Sequence, residues 1–163
     1  MKNPLLCLAL LLLFALPAAA QGNWNIVGSA GEVDESSQLQ FAYSGARLEF
    51  GTNATGTLVA RYPIKNPMSF FPEPNWDIFR ITYQDSGSTG QITTRLISVE
   101  ECTGHEEMLC QIEAGNTGSS NACTFCIFPP DINFNTHSYY IEAELDRTDV
   151  FTDLALIMMS LSH

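Results

Sequence analysis

Hydrophobic and polar residues alternate along much of this chain with a period of two. The clearest run is His137-Ser138-Tyr139-Tyr140-Ile141-Glu142-Ala143-Glu144-Leu145. Successive side chains of a strand point to opposite faces. One face therefore takes His137, Tyr139, Ile141, Ala143 and Leu145, and the other takes Ser138, Tyr140, Glu142 and Glu144. Residues 78–83 repeat the pattern, with Phe79, Ile81 and Tyr83 against Arg80 and Thr82. Residues 91–99 are β-branched and half polar. Residues 153–161 are apolar at nearly every position, which predicts a central strand covered on both faces, with a helix as the alternative. Shorter runs at 24–28, 39–43, 47–50, 57–62, 108–113 and 125–132 complete the set.

Roughly nine or ten strands at short spacing predict an all-β fold. The architecture expected is an antiparallel two-sheet β-sandwich of jelly-roll type. Helical periodicity, internal repeats and low-complexity linkers are not seen. Residues 115–121 read as a flexible polar loop. Residues 63–74 read as a stiff one, because its prolines restrict the backbone. Asp85-Ser86-Gly87-Ser88-Thr89-Gly90 reads as a hairpin loop between two strands. It also matches the short signature of aspartic proteases, without a second copy or the expected apolar stretch downstream.

The first residues change the picture of where this fold works. Lys2 precedes an apolar run ending near Leu16, then Pro17 and Ala18-Ala19-Ala20. That is the pattern of a secretory signal peptide. The run is too short to span a bilayer. The expected organisation is therefore a signal peptide over 1–20 and a single β-sandwich domain over 21–163. No membrane span is expected after cleavage, and the product is expected to be secreted, periplasmic or at the cell surface. Seven Lys and Arg against eighteen Asp and Glu give a net charge of -11. So acidic a chain does not suit a nucleic-acid backbone.

Cys7 leaves with the leader. Cys102, Cys110, Cys123 and Cys126 remain, and an even number in an exported chain reads as two disulfides. Of three pairings, the local one, Cys102–Cys110 with Cys123–Cys126, is expected, with crossed pairing as the alternative. The spacing does not suit zinc, and Pro129-Pro130 after the C-x-x-C does not suit a redox helix.

Four short motifs fall in one order: Val33-Asp34-Glu35, Gly56-Thr57-Leu58-Val59-Ala60-Arg61-Tyr62, Ile81-Thr82-Tyr83-Gln84-Asp85-Ser86-Gly87 and Tyr139-Tyr140-Ile141-Glu142-Ala143. Their order resembles a group of small exported bacterial β-sandwich proteins of no assigned activity. The resemblance implies the fold and the compartment, and no chemistry.

Candidate ligand-binding residues are Phe70, Phe71 and Trp76, a large aromatic load on a proline-rich loop, with Tyr140 on the wet face of its strand. Rigid aromatics on a β-scaffold can stack on sugar rings or fill a partner's pocket. Acidic residues cluster at Glu32, Asp34 and Glu35, at Glu100, Glu101, Glu106 and Glu107, and at Glu73 with Asp77. A calcium ion is the one cofactor these suggest, at Asp34 and Glu35. No catalytic set is evident. The function expected is an exported, non-catalytic binding or surface-interaction module for a carbohydrate or a surface protein. A secreted hydrolase using carboxylates such as Asp85 or Asp77 is the alternative.

Overall fold

A computed structural model describes residues 22–66, 73–115, 118 and 120–163. The expected leader, Phe70 and Phe71 lie outside the described residues. Among the described residues eleven strands form two antiparallel sheets. They are β1 (Trp24–Val27), β2 (Glu32–Val33), β3 (Phe41–Ser44), β4 (Arg47–Phe50), β5 (Gly56–Ile64), β6 (Ile78–Asp85), β7 (Gly90–Glu100), β8 (Glu106–Gly115), β9 (Asn121–Ile127), β10 (His137–Arg147) and β11 (Leu154–Ser162). One sheet runs β3-β4-β11-β6-β9, with β1 also on β11; the other runs β2-β5-β10-β7-β8. Among the described residues no helix is long and apolar enough to cross a membrane.

The two strands with the clearest alternation sit where alternation matters most. β10 lies between β5 and β7. Its inward residues Tyr139, Ile141, Ala143 and Leu145 are buried, while Tyr140, Glu142 and Glu144 face out half-exposed. Phe79, Ile81 and Tyr83 of β6 face them from the opposite sheet, with Leu58, Tyr62, Leu96, Leu156 and Met159 filling the space between. Burying side chains of this size contributes roughly 1.5–3 kcal/mol each. Tyr62 is fully buried and its hydroxyl donates to the Gly28 carbonyl at 2.7 Å. Burial pushes its phenol pKa far up. Gly28 is required there, since a Cβ would collide with the Leu156 carbonyl.

Several expectations need correction. β11 is central, between β6 on one side and β4 with β1 on the other. It is not covered on both faces, because Met158 is 38% exposed on the outer one. β2 was not expected, being two residues long. β9 starts at Asn121 and stops at Ile127; Pro129-Pro130 beyond it lack the N–H a ladder needs. Residues 85–90 are not a hairpin loop, since β6 and β7 belong to different sheets and the segment crosses between them. Asp85 is fully buried there and accepts the Gly87 N–H at 3.0 Å.

Among the described cysteines there is one bridge, not two, and it is a crossed one rather than the local pairing expected first. Cys110 of β8 bonds Cys126 of β9, with their Cα atoms 6.3 Å apart, and Cys102 and Cys123 are free and exposed. Cys123 and Cys126 occupy one strand three residues apart. They point to opposite faces, about 10 Å apart along the chain, beyond disulfide reach. Consecutive strands in opposite sheets bring Cys110 and Cys126 together instead, so the bridge staples sheet to sheet.

At the end of the sandwich where β6 crosses to β7, Arg147 is buried and donates to the carbonyls of Gly51, Ala54 and Thr152. Its guanidinium lies 4.6 Å from the Phe50 ring centroid. Burial lowers its pKa, and nearby Asp149 opposes that. Asp149 closes the β10–β11 turn by accepting the N–H groups of Phe151 at 2.8 Å and Thr152 at 2.9 Å. The Thr89 hydroxyl, then the Phe151 N–H, hold its carboxyl below the ordinary 3.8. Asp34 is held low first by the Ser36 N–H. A carboxyl depressed in the folded state adds stability above its unfolded pKa, and that stability is lost as pH falls through the folded value. The melting temperature should therefore be flat toward neutrality and fall below about pH 4. Asp149→Asn should lower the plateau and shallow the acid slope in melts followed by circular dichroism.

Candidate functional site

The chain direction of the strands gathers three connections at one end of the sandwich. These are the segment between β5 and β6, the β7–β8 turn, and the segment between β9 and β10. Loops on a rigid sheet scaffold are where binding groups are usually held. Here the second half of the proline-rich segment, Glu73 to Asp77, meets residues 128–136.

An aromatic chain holds these two segments together from below. Trp76 is fully buried, its indole Nε1–H donates to the Gly22 carbonyl at 3.0 Å, and its ring meets Phe134 edge-on at 6.4 Å. Phe134 meets Tyr139 at 5.0 Å, and Tyr139 lies 6.2 Å from the His137 ring. The Tyr139 hydroxyl accepts the Asn133 N–H at 2.8 Å. Burial, ahead of the other influences, raises the Tyr139 pKa. Above the stack, the Asn135 amide donates to Glu73 at 2.6 Å and ties the segments directly. Trp76 is thus a core residue; it offers no surface to a ligand, contrary to the expectation from its loop position.

Two adjoining grooves open above this floor. One, of about 350 Å³, is lined by Glu73, Pro74, Asn75, Pro130, Asp131, Ile132 and Asn133. The other, of about 240 Å³, is lined by Ser98, Glu107, Leu109, Pro129, Asp131, His137 and Tyr139. Asp131 lines both. Its carboxylate and the Asn75 amide make no hydrogen bond among the described residues, so their donors and acceptors are open to a ligand. Sequence reasoning missed Asn75, Asp131 and Asn133, three polar loop residues with no local pattern. The Phe134 and Tyr139 aromatics beneath them were the available signal. The opposite pocket, of about 220 Å³ beside Arg47 and Arg147, is a weaker candidate. Arg147 is taken up by carbonyls, and Arg47 donates to Gln84 at 2.8 Å.

The other expected site residues are scattered. Tyr140 lies on the outer face of the β10 sheet, between Pro63 and Ile97 in register, and its hydroxyl donates to Glu106 at 3.2 Å. Burial raises its pKa, with Glu106 adding to the shift. Next to it runs a charged row: Arg61 reaches Glu142 at 2.9 Å, and Arg95 reaches Glu142 at 3.3 Å and Glu144 at 2.9 Å. Asp34 accepts from Ser36 at 3.0 Å and lies 3.6 Å from Arg61, so its carboxylate is already engaged. Glu35 is exposed. Among the described residues no group of three or more His, Cys, Asp or Glu side chains is placed to hold a metal ion. The calcium expectation finds no assembled ligand set there.

No protein-family model matches the chain, and no curated protein matches it. Solved structures do. The CBM36-1 domain of a multidomain xylanase from the hindgut metagenome of Trinervitermes trinervoides superposes with a TM-score of 0.52. The match covers 87% of this chain and 98% of that one at 11% identity. The xylan-binding module CBM15 gives 0.48, over 86% and 96%, at 13% identity. The xylan-binding domain from CBM22 gives 0.44, over 90% and 89%, at 14% identity. At such identities the likeness is one of fold, a two-sheet β-sandwich. The resemblance to small exported bacterial proteins is met at the same level, that of the sandwich.

Proposed function

We propose that this chain is an exported, non-catalytic β-sandwich module that binds a neutral carbohydrate in the grooves around Asp131. The observation that carries the reading is a pair of open polar groups, Asp131 and Asn75, on a floor fixed by the Trp76–Phe134–Tyr139 stack. A carboxylate accepts from two neighbouring sugar hydroxyls, and an amide both donates and accepts. A site that needs no rearrangement loses little affinity to ordering. The fold shared with a xylanase-borne module supports a glycan as the ligand class. Glu73, Glu107 and Asp131 line the grooves, so acidic polysaccharides would be repelled. Phe70 and Phe71 precede Glu73 in the chain and are the residues proposed to stack on the bound sugar. The cysteine bridge and the leader-like N-terminus support export. The hydrolase alternative draws nothing from Asp85, whose carboxylate is fully buried and accepts the Gly87 N–H.

Affinity gel electrophoresis tests this reading. Xylan, mixed-linkage glucan or galactan in the gel should retard the wild-type domain, and polygalacturonate should not. Removing a hydrogen bond to a charged group costs about 1.5–3 kcal/mol. Asp131→Ala should therefore weaken retention about tenfold or more, and Phe70→Ala with Phe71→Ala should also weaken it. Migration unaffected by every neutral glycan would contradict the reading.

A further inference from the structure

The remaining long edge of the first sheet, β9, contributes no residue to the lining of the glycan groove. β9 pairs with β6 and, among the described residues, ends its sheet. Its seven residues, Asn121–Ile127, include no charge and no proline. Natural sheet edges are usually guarded by charge, proline or shortness. The other edges obey that rule. β8 carries Glu106, Glu107 and Glu113, while β1, β2 and β3 have four residues or fewer.

The backbone of β9 is set for a further strand. Phe128 donates its N–H to the Asp77 carbonyl at 2.9 Å. Alternation along an antiparallel strand then turns the N–H and C=O groups of Cys123, Phe125 and Ile127 away from β6. The side chains of the same residues stand on the outer face. Phe125 is 55% exposed, Ile127 is 71% exposed, and the Cys123 thiol is free and exposed.

We propose that β9 is a homodimer edge, on which a second copy of this chain adds its own β9 antiparallel about a two-fold axis at Thr124. The occupant follows from the self-complementarity of the strand. In the register that overlaps all seven residues, Asn121 falls opposite Ile127 of the partner copy, and Cys123 falls opposite Phe125. Each large apolar side chain then meets a small one. An isologous contact of this kind closes on itself and leaves no free β9 edge. Each copy carries a net charge of -11, a long-range repulsion that salt screens, and the seam itself brings no like charges together. Arg80, beside Phe125 on β6, would be three strand spacings from its symmetry mate. That is about 14 Å, beyond the roughly 8 Å screening length at physiological salt. The outer face would gain a continuous apolar strip joining Phe125 and Ile127 of both copies.

The same register places the two Cys123 residues as diagonal cross-strand neighbours, about 7–8 Å apart. A short bis-maleimide should therefore join them and give a covalent dimer. Cys102→Ser should leave that product intact, and Cys123→Ser should abolish it. Light scattering on the purified domain at about 100 µM should report a dimer, in gradient with dilution. Phe125→Lys with Ile127→Lys, at positions already exposed, should give a folded monomer whose melting temperature, unlike the wild type's, does not rise with protein concentration. A wild-type monomer across that range, or a dimer that survives the double lysine variant, would overturn the proposal. Neither result touches glycan retention, so the two readings fail separately.

Discussion

Trp76→Ala is expected to remove much of the domain's stability, about 3–5 kcal/mol in urea denaturation. The domain's whole stability is of the order of 5–15 kcal/mol. The ring is fully buried against Phe134, and the hole it leaves lies under two loops otherwise tied by the Asn135–Glu73 and Phe128–Asp77 hydrogen bonds. The Gly22 carbonyl would also lose its indole donor. Trp76→Phe should recover most of the packing and not the hydrogen bond, and so fall between the two. Glycan affinity should fall with the alanine variant, because the floor that orders residues 73–77 and 128–136 is gone. A loss below about 1 kcal/mol would show that the ring is not a core element.

The second large effect is expected from the Cys110–Cys126 bridge. It joins β8 of one sheet to β9 of the other across a sequence separation of 16 residues. Closing a loop of about that length is worth roughly 3 kcal/mol through the unfolded chain. Cys110→Ser with Cys126→Ser should lower stability by about that amount, and reduction of the wild-type domain should do the same. The unreduced domain, denatured, should show two reactive thiols, Cys102 and Cys123. A peptide map linking Cys102 to Cys110, or Cys123 to Cys126, would contradict the sheet-to-sheet staple.

What could be read in advance depended on how local the determinant is. β6 and β10 were legible because one buried face and one wet face write a period of two into the chain. The pairing of cysteines was not, because nearness in sequence on a strand means separation in space. Cys123 and Cys126 are three residues apart and face opposite ways. Trp76 was misplaced for a related reason. Its proline-rich surroundings are those of a loop, and its burial depends on Phe134, which comes from a distant segment. The crossing at 85–90 looked like a hairpin because a short polar Gly-Ser turn is the same locally whether it joins neighbours or changes sheet. The groove was least legible of all. Asn75 and Asp131 are ordinary loop residues until β5 with β6, and β9 with β10, bring their loops to the same end.

Backbone amide NMR during titration with a neutral β-linked oligosaccharide tests the binding reading most directly. Shifts should concentrate on residues 73–77, 128–137 and the neighbouring Ser98 and Glu107, should saturate, and should need about tenfold more ligand or beyond in Asp131→Ala. Shifts gathered instead around Tyr140 on the outer face of the β10 sheet, or no shifts with any neutral glycan, would contradict it.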